Sequence, residues 1–285
     1  MTVGFIGLGI MGAPMCANII KKSGCEVYVY DVNEAAAEPL VELGAKKASS
    51  SRELCEKSAV VFSMVPKTEH VEAVYSELIP AAREGQLFID MSTISPNASR
   101  ALAKRIAEKG AVMLDAPVVK SKPAAIAGEL GIYVGGDETA FEKALPLLKC
   151  MGSNVIRMGD NGTGLVMKLC HNSLVAQIQN GVNETMRLAK EAADIDPLTF
   201  AKAISYGGGQ NFYLDGKAKV IAARDFTTAF SVENMNKDAH LSKTLCEECG
   251  FEAKGIELAA ERYEAAMEKG LGKMDFSATY LLMED

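Results

Sequence analysis

No apolar run in this sequence approaches the roughly 18 residues that a membrane-spanning helix needs, so a membrane partner is not expected. There is no internal repeat and no low-complexity tract. Basic residues are not in excess: 30 Lys and Arg stand against 37 Asp and Glu, for a net charge of −7. That balance argues against a bulk polyanion such as nucleic acid as partner. Cysteine is too sparse and too irregular for a disulfide framework. The seven are odd in number, and several lie in apolar patterns. A reducing cytoplasm suits them best. The chain enters a strand at once, with no basic leader and no cleavage site, which also reads as cytoplasmic. Cys246-x-x-Cys249 with His240 upstream could suggest zinc. The second cysteine pair is missing and the segment reads as helix, so no metal is expected.

Hydrophobic residues make up 48% of the chain and charged residues 24%, the balance of a globular protein. Its 285 residues suffice for two domains with sizeable cores. The first stretch, Val3-Gly4-Phe5-Ile6-Gly7-Leu8-Gly9-Ile10-Met11-Gly12, begins as an apolar strand and runs into a helix. Gly7, Gly9 and Gly12 have the G-x-G-x-x-G spacing. The first permits the strand-to-helix turn, the second lets a pyrophosphate approach the backbone, and the third lets the helix lie close on the sheet. A helix N-terminus there offers N–H groups to phosphates. A second strand, 26–30, ends in Asp31, 19 residues beyond Gly12. A carboxylate at that place is expected to bind the ribose hydroxyls of NAD. Neither Val32 nor Asn33 supplies a cation for a 2′-phosphate, so NAD is the cofactor expected.

Strands and helices then alternate. Ser58–Val65 is a near-continuous apolar run, as a strand buried on both faces requires, and it ends at Pro66. Further strands end at Ser92-Thr93 and at Asp115-Ala116-Pro117-Val118. This pattern predicts an α/β, doubly wound Rossmann domain over 1–161, with ligands beyond the carboxyl ends of the strands. At Gly159–Gly164 the periodicity changes. From 162 to 285 it is helical almost throughout, which predicts an all-helical second domain. Its first helix is long, from about Leu165 to Ala193. Lys168, His171 and Asn172 are spaced i, i+3, i+4 on it and share one face. An ammonium in so apolar a helix is costly to bury unless it has a partner or a task.

These features together resemble the β-hydroxyacid dehydrogenase family, which includes 3-hydroxyisobutyrate dehydrogenase and tartronate semialdehyde reductase. The resemblance rests on Gly7-Leu8-Gly9-Ile10-Met11-Gly12, Asp115-Ala116-Pro117-Val118, Gly162-x-Gly164-x-x-x-Lys168-x-x-x-Asn172, and Lys237-Asp238 with Phe230 before it. It implies that Lys168 is the general acid/base and that Asn172, with His171 beside it, holds the substrate. It further implies that Ser92 and Thr93 lie at the substrate and nicotinamide end. Val65, Pro66, Thr93, Phe230 and Lys237 would contact the cofactor. Such proteins are commonly homodimers or homotetramers built through the helical domain.

The chain departs from the family at two places. His171 stands where an Asn is usual. Val119-Lys120-Ser121 replaces the Ser-Gly-Gly loop that faces the substrate's acid group. Sulfolactaldehyde reductases of the same family also lose that loop, which makes a strongly anionic three-carbon aldehyde, such as 3-sulfolactaldehyde, the substrate expected here. Lys120 and the Ser121 hydroxyl would meet the anionic head; the alternative for Lys120 is a solvated surface lysine. The alternatives are the 3-hydroxyisobutyrate or tartronate semialdehyde reaction. A different class, a nucleotide-sensing regulator on a dehydrogenase fold, is disfavoured by the retention of Lys168, Asn172 and Lys237.

Overall fold

The computed structural model describes residues 1–284. Its nine-stranded sheet comprises β1 (Thr2–Ile6), β2 (Glu26–Tyr30), β3 (Lys46–Lys47), β4 (Val60–Ser63), β5 (Leu87–Asp90), β6 (Val112–Asp115), β7 (Val118–Val119), β8 (Leu130–Gly135) and β9 (Gly152–Gly159). The order is β3-β2-β1-β4-β5-β6-β8-β7, with β9 on the other side of β8. Pairings from β3 through β6 are parallel. The expected doubly wound domain is therefore present. The sheet becomes mixed at its far end, where β8 runs antiparallel to β6 and β7.

Side-chain alternation along the strands builds two cores, one on each face. Phe5, Phe62 and Ile89 join Met15 and Ile19 of α1 (Gly12–Lys22), Leu40 of α2 (Glu38–Glu42) and Leu148 of α7 (Glu138–Met151). The Phe5 and Phe62 rings stack with centroids 5.8 Å apart. Ile6, Val61 and Phe88 point the other way. They meet Leu54 of α3 (Ser51–Lys57), Tyr75 of α4 (Thr68–Ala81) and Ile106 of α5 (Pro96–Ala107). Every residue of β4 and β5 is buried, as strands covered on both faces demand.

The remaining long elements are helical: α8 (Thr163–Ala193), α9 (Pro197–Ile204), α10 (Phe212–Ala223), α11 (Val232–Cys249) and α12 (Lys254–Glu268). Near the end of this helical stretch, Phe276–Met283 is a 3₁₀ segment rather than an α-helix. Side-chain caps start several of these helices: Asp196 for α9, Asn211 for α10 and Ser231 for α11. Val175, Met235, Tyr263 and Phe276 belong to one of the two apolar clusters of this unit. The two compact units divide between Lys168 and Leu169, within α8. The glycines at 159–164 precede that division, because Leu165 of the first turn of α8 is buried in the core beneath α4 and α5. No described helix is long and apolar enough to cross a membrane.

Candidate active site

The glycine loop after β1 meets three different steric demands. Gly7 has φ +89°, and a Cβ there would lie 2.2 Å from the Met64 carbonyl oxygen. A Cβ on Gly12 would strike the Gly7 carbonyl oxygen, so only glycine lets α1 begin so close to the strand. Nothing lies within 4 Å of a Cβ on Gly9. Its glycine answers to no neighbour in the chain, and the space beside it is open to a ligand. α1 has no side-chain cap and no acid in its first turn, which leaves its N-terminus fit for a pyrophosphate. Leu8 and Gly12 are buried, Met11 is half-buried, and Ile10 is exposed on the crest of the loop.

Asp31 is held from two sides. Its Oδ2 accepts the Leu8 N–H at 2.6 Å, and its Oδ1 accepts the Asn33 N–H at 2.8 Å. The ribose-binding candidate is thus fixed directly to the glycine loop. A cavity of about 290 Å³ beside it is also lined by Glu34 and Lys47. Lys47 is at the end of β3, one strand away, and the local sequence around Asp31 gave no sign of it.

The ends of β4 and β5 are locked together by a buried network. Asp90 Oδ1 accepts the hydroxyls of Ser63, at 2.8 Å, and of Ser92, at 2.7 Å. Ser92 Oγ in turn accepts the Val65 N–H at 2.9 Å. Burial pushes the Asp90 carboxyl up to about 6, against the pull of those hydroxyls. Ser92 is fully buried, and its hydroxyl is spent on Asp90 and the Val65 backbone. Its place is to fix the Val65-Pro66 turn. Thr93 is half-buried at the same strand end, and Pro66 is exposed.

Asp115, at the end of β6, caps α8. Oδ1 accepts the Gly162 N–H at 2.6 Å, and Oδ2 accepts the Leu165 N–H at 2.9 Å. A Cβ at Gly135 or Gly164 would lie 2.5 or 2.9 Å from that carboxylate. Burial raises the Asp115 carboxyl above the ordinary range, opposed by these two N–H donors. One turn beyond Leu165 comes Lys168, which is 7% exposed.

The 119–121 segment is not an open loop. Val119 is buried in β7, opposite Gly131 of β8. Ser121 opens α6 (Lys122–Ala127) without a side-chain cap bond. Lys120 takes φ +77°, a left-handed backbone suited to the glycine it replaces. Its Nζ donates to the Glu129 carbonyl at 2.7 Å.

In the helical unit, Asp238 joins two of the predicted residues. Its Oδ2 accepts from Asn172 Nδ2 at 2.5 Å, and its Oδ1 lies 3.0 Å from Lys237 Nζ. Asp238 is 2% exposed. Its adjacency to Lys237 in sequence was visible, but its hold on Asn172, 66 residues away, was not. His171 is half-buried. Phe230 stacks edge-on against Phe276, with centroids 6.3 Å apart. Among the described residues, no three His, Cys, Asp or Glu side chains are grouped to hold a metal. His240 Nδ1 instead lies 2.9 Å from the Asn236 carbonyl.

Comparison with known proteins agrees with this geometry over the whole chain. Residues 2–159 match the NAD binding domain of 6-phosphogluconate dehydrogenase. Residues 162–283 match the family described as NAD-binding of NADP-dependent 3-hydroxyisobutyrate dehydrogenase. The chain is 34% identical to the NAD-dependent L-serine dehydrogenase of Pseudomonas aeruginosa, over 99% of this chain and 97% of that one. It is 32% identical to the 2-(hydroxymethyl)glutarate dehydrogenase of Eubacterium barkeri, over 99% and 94%. The structure of the Mycobacterium tuberculosis 3-hydroxyisobutyrate dehydrogenase with L-serine superposes with a TM-score of 0.93 at 32% identity, covering 100% of this chain and 99% of that one. With the glycine loop, the doubly wound sheet and the helical unit all in place, the chain belongs to the β-hydroxyacid dehydrogenases, NAD-binding oxidoreductases that act on CH–OH groups.

Proposed function

We propose that this dehydrogenase oxidises a small 3-hydroxy acid, or reduces the matching semialdehyde, with NAD(H) preferred and Lys168 as the general acid/base. The observation that carries this reading is the burial of Lys168 one turn beyond the capped start of α8. An ammonium in such a place is costly to keep without a partner or a task, and the chemistry of the family supplies the task. In oxidation Lys168 takes the hydroxyl proton; in reduction it returns a proton to the developing alkoxide. Its charge also stabilises oxygen charge in the transition state. NAD bound over the open face of Gly9 and beside Asp31 would supply the hydride acceptor or donor. By the family resemblance Asn172, tied to Asp238, would hold the substrate, and Lys237 would serve the nicotinamide.

The substrates named for the relatives, L-serine, 3-hydroxyisobutyrate and 2-(hydroxymethyl)glutarate, share a hydroxymethyl group near a carboxylate. They define the class to test. The head group is the finer question. A lysine at 120 adds a full positive charge where the family has glycine. Its ammonium gives one of three N–H donors to the Glu129 carbonyl, which leaves two for a ligand. Those donors favour an anion with more than one strong acceptor.

The decisive experiment follows absorbance of the reduced cofactor with these hydroxy acids, methylmalonate semialdehyde and 3-sulfolactaldehyde. Turnover is expected with at least one. Lys168→Ala should lower kcat on the order of 10²- to 10⁴-fold with cofactor Kd nearly unchanged. A protein that binds NAD but turns over none of the panel would be a sensor instead. Full turnover by the variant would remove Lys168 from the chemistry.

A further inference from the structure

The cavity beside Asp31 holds a cation that the neighbouring sequence does not supply. Lys47 ends β3, whose parallel register with β2 sets it against Val29, two residues before Asp31. Glu34 begins the 3₁₀ turn that follows β2. Both line the same cavity as Asp31, together with Tyr30 and Ser49. Lys47 Nζ lies 2.7 Å from Glu34 Oε2. The preceding Lys46 is already paired with Glu26.

We infer that Glu34 and Lys47 form a second determinant of cofactor choice beside Asp31, in which Glu34 masks the cation that would otherwise receive the 2′-phosphate of NADP. This rests on the reading of Asp31 as the ribose-binding acid. The three side chains carry a net charge of −1, which opposes a phosphate at the ribose. The two carboxylates resist it differently. Asp31 is pinned by two backbone N–H groups and cannot turn away. Glu34 is 81% exposed and its partner Lys47 42% exposed. A pair so open to water is weakly held, but the carboxylate that a phosphate displaces stays beside it as a second negative charge. A phosphate is still the stronger partner, since it offers the ammonium several charged acceptors. Discrimination is therefore rigid at Asp31 and adjustable at Glu34.

The test is calorimetric titration of the purified protein with NAD⁺ and NADP⁺. Glu34→Gln should lower the Kd for NADP⁺ about tenfold, equivalent to about 1.4 kcal/mol, while the Kd for NAD⁺ moves less than about threefold. Adding Lys47→Gln should abolish that gain. Both positions are exposed, so folding is not at stake. Asp31→Asn checks the underlying reading separately and should weaken NAD⁺ binding. If Asp31→Asn weakens NAD⁺ but Glu34→Gln leaves NADP⁺ unchanged, the inference fails and the Asp31 reading stands. A gain that survives Lys47→Gln also overturns the inference. If Asp31→Asn leaves NAD⁺ binding untouched, both fall.

Discussion

The carboxylate of Asp115 accepts the backbone N–H of Leu165 at 2.9 Å, joining a strand end to the first turn of a helix 50 residues later. The other oxygen takes Gly162, so one side chain satisfies two of the N–H groups that every helix start leaves unpaired. Lys168 lies one turn further along. Its position relative to the sheet is set through this cap.

Asp115→Asn should therefore cost stability and activity together. The amide keeps one acceptor but turns an N–H toward another N–H in a buried site. A loss of roughly 2 kcal/mol follows from a broken cap with a charged acceptor. Urea unfolding measures it, and the first turn of α8 should lose protection from hydrogen exchange. An unchanged unfolding midpoint would mean that the cap is incidental.

Two uses of the glycine loop, ligand access at Gly9 and helix packing at Gly12, can be separated. Gly9→Ala adds a Cβ to open space, whereas Gly12→Ala drives one into the Gly7 carbonyl. The first should leave the melting temperature within about 1–2 °C of wild type, since an exposed site without contacts rarely matters to stability. It should nevertheless weaken NAD⁺ binding by tenfold or more. The second should unfold the protein more readily. If Gly9→Ala binds NAD⁺ normally, the pyrophosphate does not lie against this residue.

Asp90 predicts a pH dependence of definite sign. Its carboxyl is raised from 3.8 to about 6 in the folded chain. Between those values the folded state holds a proton that the unfolded state has lost. Its contribution to stability is complete below about 4 and is lost as pH rises through about 6. Asp115, raised in the same direction, adds to the trend. Asp90→Asn cannot ionise and keeps an acceptor for Ser63 and Ser92. The difference in unfolding free energy between variant and wild type should shift in the variant's favour from pH 4 to 6.5. At its steepest the slope is roughly 1.4 kcal/mol per pH unit. A difference independent of pH would place the Asp90 titration elsewhere.

Lys120→Ala isolates the head-group question. Both residues must take the left-handed backbone, which costs any L residue roughly 1–2 kcal/mol, so the strain is common to the two proteins. If the ammonium meets the substrate anion, KM for 3-sulfolactaldehyde should rise at least about tenfold, with kcat little changed. An unchanged KM would leave Lys120 as a loop residue bonded to Glu129, and the carboxylate substrates would be the natural ones.

Much of this protein is written in short windows of its sequence. The Gly7-x-Gly9-x-x-Gly12 spacing, the alternation of Phe5 with Ile6, and the near-continuous apolar run over 58–65 are local properties of the sequence. Together they point to a doubly wound sheet, and the 3.6-residue period after Gly162 points to helices as plainly. The departures came where local pattern is weak. Val118–Val119 is too short to announce itself as a strand, and Phe276–Met283 has too little helical periodicity to distinguish 3₁₀ from α. What no window could contain is the pairing of polar groups. Asp115 meets Gly162, Asp238 meets Asn172, and Lys47 shares a cavity with Asp31 only because strand order and helix packing bring distant segments together. A carboxylate's neighbours follow from which strand ends adjoin, and that order is decided by burial of the apolar faces over the whole unit. The sequence by itself therefore determined the architecture and the reaction class. The tertiary structure alone decided what each buried charge holds in place.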